Sequence, residues 1–324
     1  MRIGYHASHE QFAPSELLRY VQRAEAAGFQ AAMCSDHLHP WLPEQGSAGH
    51  AWTWLGAALA STGLSFGTVT APGYRYHPAV LAQAAATLGE LFPGRVWVAL
   101  GSGEHLNESV TGDVWPPKEE RDLRLRESAE VMQRLLRGEE VTHTEVVRTY
   151  QAKLWVQPQP SPPLYAAALT ETTAEAVAGW ADGLIIAAAT PEQASPLIDA
   201  YRRAGGTGPV LAQVVVASAS TDEEAARVLH DQWRNAALDP DLLADLPTTT
   251  AFEAATREVE VDDLAKRHLA SSDLRRHREL VEGFAGLDIE TLYVHNVSRD
   301  QETFIDAYGD EVLPALGERE RRSA

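Results

Sequence analysis

Gln30-Ala-Ala-Met-Cys34 runs directly into Ser35-Asp-His-Leu-His-Pro-Trp41. The first segment is small and largely apolar, the pattern of a parallel strand covered on both faces. The second supplies a carboxylate, two imidazoles, a proline and an indole within six residues. A strand end that changes from packing residues to groups able to move protons and line a pocket is where α/β enzymes keep their chemistry.

Upstream, the periodicity predicts a helix over Pro14–Ala27, with Leu17, Leu18, Val21 and Ala24 on its apolar face and Gly28 as its C-terminal stop. A strand, Met1–His6, precedes it. Downstream the alternation continues. Strands are expected at Leu64–Thr70, Arg95–Leu100, Leu164–Ala168, Gly183–Ala188, Val210–Ala217 and Thr291–Val294. Helices are expected near Ala51, then at Pro78–Leu91, Lys118–Leu136, Thr173–Ala181, Pro191–Arg203, Thr221–Trp233, Leu274–Phe284 and Gln301–Leu316.

Eight strand–helix units at this length predict a (β/α)8 TIM barrel rather than a doubly wound sheet. A dinucleotide-binding sheet would need Gly-x-Gly-x-x-Gly after the first strand, where the chain reads Tyr5-His-Ala-Ser-His9. Two segments break the rhythm. Val141–Val156 reads as a hairpin or lid, and Ala236–Glu260, with its Asp-Pro, Leu-Pro and Thr triplet, as an irregular insertion. The expected organisation is one barrel domain over 1–316, with insertions near 141–156 and 236–270 and a charged, frayed tail at 317–324.

The chain of 324 residues is 44% hydrophobic and 23% charged, ordinary for a globular protein. Its formal charge of −19 (27 Lys+Arg against 46 Asp+Glu) argues against nucleic-acid or anionic-membrane partners, which need concentrated basic surface. One cysteine allows no internal disulfide, no apolar leader precedes the first strand, and a cytoplasmic location is expected.

Barrel enzymes draw their catalytic groups from the C-terminal strand ends. Strand one then delivers His6, Ser8, His9 and Glu10; strand two Asp36, His37, His39 and Trp41; strand three Thr68, Val69 and Thr70. Strand four delivers Ser102, Glu104 and Asn107, and strand eight His295 and Asn296. His37 with Glu104 is the sharpest pair, able to divide acid and base roles, against the alternative of a structural histidine and a helix-capping glutamate. A metal site from His37, His39 and His295 lacks a specific ligand spacing, and no metal is expected. Gly101-Ser-Gly103 lets backbone approach a flat or anionic ligand. Of Trp41, Trp52, Trp54 and Trp97, one pocket indole is expected, the others being core. No Gly-x-Ser-x-Gly elbow occurs, and Cys34 falls inside strand two as a packed thiol.

Ile3-Gly-Tyr-His-Ala-Ser-His-Glu-Gln-Phe12, Ser35-Asp-His-Leu-His-Pro-Trp41, Arg75-Tyr-His-Pro78 and Gly101-Ser-Gly-Glu-His-Leu-Asn-Glu108 resemble the luciferase-like flavin and deazaflavin oxidoreductases. Within them the closest resemblance is to the branch of F-420-dependent glucose-6-phosphate dehydrogenases. Tyr293-Val-His-Asn-Val297 and Glu302-Thr-Phe-Ile-Asp306 look more like an FMN-using sister group. The resemblance implies a homodimer of barrels binding FMN or coenzyme F-420 at the C-terminal face. It gives Asp36 a cofactor contact, His37 the acid/base role at the substrate carbon bearing oxygen, and Trp41 the steadying of a charged intermediate.

By the same resemblance Glu104 protonates or deprotonates the reduced ring, Ser102 and Asn107 hold the cofactor, and Glu10 sits with the substrate. A non-proline cis peptide is implied within Thr68-Val69-Thr70, behind the ring.

The departures carry information too. Where the sugar-phosphate enzymes place a phosphate-gripping lysine, this chain reads Ala187-Ala-Ala-Thr-Pro191, and Lys266 alone matches the second one. Their glycine pair after strand five is here Leu169-Thr170, which leaves Thr170 and the following helix to hold a cofactor phosphate. The reading is therefore hydride transfer between a flavin-type cofactor and a small alcohol or carbonyl substrate other than glucose 6-phosphate. An FMNH2-dependent monooxygenase and a non-catalytic flavin-binding protein are the alternatives.

Overall fold

The computed structural model describes residues 1–316; the tail expected at 317–324 lies outside the described residues. Eight parallel strands close into a barrel: Arg2–Ala7 (β1), Ala31–Ser35 (β2), Ser65–Thr70 (β3), Val96–Leu100 (β4), Leu164–Ala168 (β5), Gly183–Ala187 (β6), Val210–Ala217 (β7) and Thr291–Asn296 (β8). They pair in sequence order, and β8 returns to β1 with Arg2 opposite Thr291 and Tyr5 opposite Val294.

Side chains alternate along each strand, so every second residue faces the barrel axis. The inward set near the bottom is Trp97, Tyr165 and Tyr293, packed with Ala31, Met33, Ala99, Ile185 and Leu211. The three large rings fit because each meets a glycine on a neighbouring strand. A Cβ at Gly4 would strike Tyr293, at Gly67 Trp97, and at Gly183 Tyr165. Trp97 Nε1 donates to the Tyr293 hydroxyl at 3.1 Å, so this apolar plug satisfies its own polar atoms.

Helices Pro14–Ala27, Pro78–Leu91, Lys118–Leu136 and Pro191–Arg203 have the expected bounds. Gly28 ends the first at φ +101°, a left-handed conformation that glycine adopts without steric cost. The hairpin Val141–His143/Thr149–Ala152 is antiparallel and separate from the barrel. The last expected helix contains a π-turn at Tyr308–Val312.

The segment expected to be irregular is instead helical, with short helices at Pro240–Asp245, Thr249–Ala255 and Val261–Ala265. What looks like turn chemistry is capping chemistry: Asp239 accepts from the Leu242 amide and Thr248 from the Ala251 amide. Leu269–Ala270 then pairs with Val216–Ala217 at the rim. The insertion buries Phe252 with Trp41, Leu42 and Leu106, roofing one side of the barrel mouth.

The expected cis peptide is not found. The cis peptide bond among the described residues is Gln159–Pro160, and Thr68-Val69-Thr70 continues in regular parallel pairing with Val98, Ala99 and Leu100. That ladder runs unbroken because both neighbouring strands present matched backbone groups at these positions.

Candidate active site

At the C-terminal mouth the inward positions divide into two halves. On β3, β5 and β6 and in the turn after β4 they are Val69, Ala167, Ala187 and Gly101, half-buried or, for Ala187, exposed. Even a Cβ on Gly101 would only reach ordinary contact with Ala167 and Val69. This leaves a shallow floor of the kind a flat ring can cover.

On β7, β8 and β1 the inward positions are Gln213, His295 and His6. The His6 and His295 rings stack at 4.2 Å, and Trp233 meets His295 edge-on at 4.6 Å. Gln11 spends its amide hydrogens on Gln232 Oε1 and Val297 O, so its oxygen accepts from His295 Nε2 at 3.2 Å. The opposite nitrogen of His295 faces the Gln213 amide at 3.3 Å. Burial pushes His295 down to about 4 and, together with His295, holds His6 well below its ordinary range. Two imidazoles thus form an uncharged polar wall.

Between the halves stands His37. Its Nδ1 lies 2.9 Å from Glu10 Oε1 and its Nε2 3.6 Å from Glu104 Oε2. Glu10 is only 2% exposed and accepts from the Ser8 hydroxyl at 2.9 Å and the Ser35 hydroxyl at 2.5 Å. Glu104, 29% exposed at the mouth, accepts from Asn107 Nδ2 at 3.1 Å. Asn107 Oδ1 in turn accepts from the Leu38 and His39 amides, tying the turn after β4 to the loop after β2.

Burial alone would depress His37, but the carboxylates of Glu10 and Glu104 override it and raise the imidazole to about 9. For Glu10 the order reverses: burial opposes ionisation, yet His37 and the Ser35 hydroxyl hold it well below the usual carboxylate range. Burial raises Glu104, with His37 and Asn107 only partly offsetting it. At neutral pH this is an imidazolium between one fixed anion and one carboxylate nearer its titration. Trp41 closes the fourth side, edge-on to His37 at 5.0 Å and backed by Phe252 at 5.1 Å.

Other expected site residues are placed differently. The Asp36 side chain is 1% exposed, and its oxygens accept from the Thr70 hydroxyl (2.7 Å) and the Tyr76 hydroxyl (3.2 Å). Thr68 donates its hydroxyl to the Cys34 carbonyl, so of Thr68, Val69 and Thr70 only Val69 reaches the mouth. Ser102 sits half-buried in the turn, as befits a residue beside the floor. Thr170 caps its own helix, accepting from the Thr173 amide. Lys266 is 72% exposed and pairs with Asp263. His39 is exposed and His295 lies in the stacked wall, and no group of three or more metal-binding side chains forms among the described residues. Cys34 is buried, which pushes its thiol up. Trp52, Trp54 and Trp97 are core. The second indole at the site is Trp233, from the helix after β7, which no motif in the sequence marks.

A barrel whose C-terminal mouth sets a small-residue floor beside a carboxylate–imidazole–carboxylate row has the layout of TIM-barrel enzymes, which keep their active sites at that face. The luciferase-like monooxygenase family profile matches residues 1–291, and the chain belongs to that family. It is similar to an "F420-dependent glucose-6-phosphate dehydrogenase" of Nakamurella multipartita, 35% identical over 98% of this chain and 96% of the relative. The enzyme of the same name from Beutenbergia cavernae is 36% identical over 99% of both chains. Among solved structures, an F420-dependent secondary alcohol dehydrogenase in complex with an F420-acetone adduct superposes with a TM-score of 0.89. It is 28% identical and covers 97% of this chain and 98% of that one. A long-chain alkane monooxygenase, 15% identical at a TM-score of 0.73 over 99% of this chain and 92% of its own, shares the fold.

Proposed function

We propose that residues 1–316 form one catalytic domain that transfers hydride between FMN or coenzyme F-420 and a small uncharged alcohol or carbonyl compound. The observation that carries the reading is His37 held between Glu10 and Glu104 at the edge of the small-residue floor. The residues fit a flavin-type ring: Val69, Gly101, Ala167 and Ala187 would lie under it, with Ser102 and Asn107 beside it. When bound, the cofactor supplies the hydride acceptor or donor. His37 then gives a proton to a carbonyl oxygen during reduction, or takes one from a hydroxyl during oxidation. Glu10 compensates the charge throughout, and Trp41 excludes water from that proton. Glu104, accessible and easier to protonate, would hold a proton beside the ring.

Uncharged substrates are supported by the wall opposite the floor. His6 and His295 are held neutral, and Lys266 faces solvent, so a phosphate ester finds no lysine there. The relatives named for glucose 6-phosphate lend the cofactor class, and the acetone adduct of the alcohol dehydrogenase lends the substrate class. We also propose a homodimer. Val80, Ala84, Thr87 and Leu91 form one helical stripe whose outer members, Val80 and Leu91, are exposed, and sedimentation would test it.

The deciding experiment titrates FMN and coenzyme F-420, then follows cofactor reduction with secondary alcohols and with glucose 6-phosphate. Reduction by an alcohol without oxygen uptake is expected. Turnover only with oxygen would favour the monooxygenase reading, and binding of neither cofactor would refute both.

A further inference from the structure

Arg75 and Glu108, which flank the site, have no part in the chemistry described so far. Arg75 lies in the loop between β3 and the helix Pro78–Leu91. Its Nη2 donates to the Asp36 carbonyl oxygen at 2.7 Å, and lies 3.5 Å from Asp36 Oδ1 and 3.6 Å from Glu108 Oε1. Its own amide donates to Glu108 Oε2 at 3.3 Å, and its guanidinium covers the Tyr76 ring at 4.5 Å. Tyr76 returns to the same place by donating to Asp36. Asp36 immediately precedes His37, and Glu108 sits one helical turn beyond Glu104.

We propose that Arg75 is a positioning residue that clamps the Asp36–His37 backbone to the turn carrying Glu104 and supplies a cation that balances Asp36 and Glu108 and, beside His37, Glu104. Asp36 on this view acts through the clamp, not by touching the cofactor. The groups facing the clamp are Asp36 from the loop after β2, Glu104 and Glu108 from the turn after β4, His37, and the phenol of Tyr76. Burial raises Glu108 to about 7 and raises Glu104, while the charge of Arg75 pulls both down and also opposes protonation of His37.

The inference rests on the functional reading above, so its test has an arm that needs no activity. Titrating the His37 imidazole by NMR with 13C-labelled histidine, on the chain without added cofactor, gives a midpoint near 9. Arg75→Gln moves it upward by about one unit, Arg75→Lys leaves it within a few tenths, and Glu108→Gln moves it down. In alcohol-oxidation assays, which need neutral His37, the acid limb of kcat/KM moves in the same senses, which makes Arg75→Gln about tenfold slower on the acid side.

A purely structural arginine would lower the melting temperature of Arg75→Gln yet leave both midpoints in place, and that result overturns the proposal. So does Glu108→Gln leaving the midpoint in place or raising it, the result that decides should Arg75→Gln not fold. If the wild type turns over no substrate but the NMR shifts appear, the functional reading fails and the charge clamp stands.

Discussion

Replacing Glu10 by Gln removes one of two carboxylates that hold His37 charged and keeps the shape of the side chain. With both present, the imidazole titrates near 9. With Glu10 neutral, burial works against the charge and Glu104, 3.6 Å away and partly exposed, is the remaining opponent. The midpoint should fall to about 6.5 or below, the ordinary histidine value. At pH 7.5 the charged fraction would drop from about thirty to one in favour of imidazolium to about one to ten.

The sign for stability follows. A raised folded-state pKa stabilises fully below the unfolded value near 6.5 and loses that contribution as pH climbs through 9. The two-and-a-half-unit shift corresponds to about 3 kcal/mol at most, counted once for the pair. Wild type should therefore lose stability between pH 6.5 and 9, and Glu10→Gln should not. The assay is urea unfolding at pH 6 and pH 9 beside the pH profile of carbonyl reduction. The alkaline limb should move down by about two and a half units or more. If the limb stays near 9 in Glu10→Gln, Glu10 does not hold the His37 charge and the triad reading falls.

Three further outcomes are expected. Alcohol oxidation, which needs neutral His37, should rise toward pH 9 while carbonyl reduction falls over the same range, as initial rates in the two directions will show; parallel profiles would count against His37 as the shared acid and base. Lys266→Ala should leave KM for any accepted substrate within about twofold, since its ammonium is paired with Asp263 in solvent; a tenfold rise would return the phosphate-gripping role to it. Gly67→Ala would drive a methyl into the Trp97 ring of the barrel plug and should cost about 1–3 kcal/mol in urea unfolding, with an unchanged midpoint contradicting the packing described.

Most of the barrel is legible in the chain because its signals are local. A proline at the first turn of Pro78–Leu91 and a glycine after Ala27 mark helix ends, and the apolar run Val96–Leu100 could be little but a buried strand. The helical insertion escaped this reading. Asp239-Pro240 and Thr248 carry the same chemistry in a turn as at the start of a five- to seven-residue helix, and only packing of Phe252 on Trp41 distinguishes them.

The site divides along the same line. His37 and Glu104 could be brought together from sequence because both follow barrel strands, and strand ends converge at one face whatever the details. Parity and partners could not. Thr68, Val69 and Thr70 look equivalent as text, yet the pleat sends only Val69 to the mouth, and closure of the barrel decides which pleat faces in.

Asp36 and His37 are neighbours with opposite fates. Asp36 is taken into the interior by Thr70, Tyr76 and Arg75, while His37 is left at the mouth between Glu10 and Glu104. By itself the sequence determined the alternation, the strand ends and therefore the face that carries the chemistry, since these follow from neighbouring residues. Which groups touch, and so which proton sits where, was decided by the tertiary structure, because hydrogen bonds and charges act through space between segments that the chain keeps far apart.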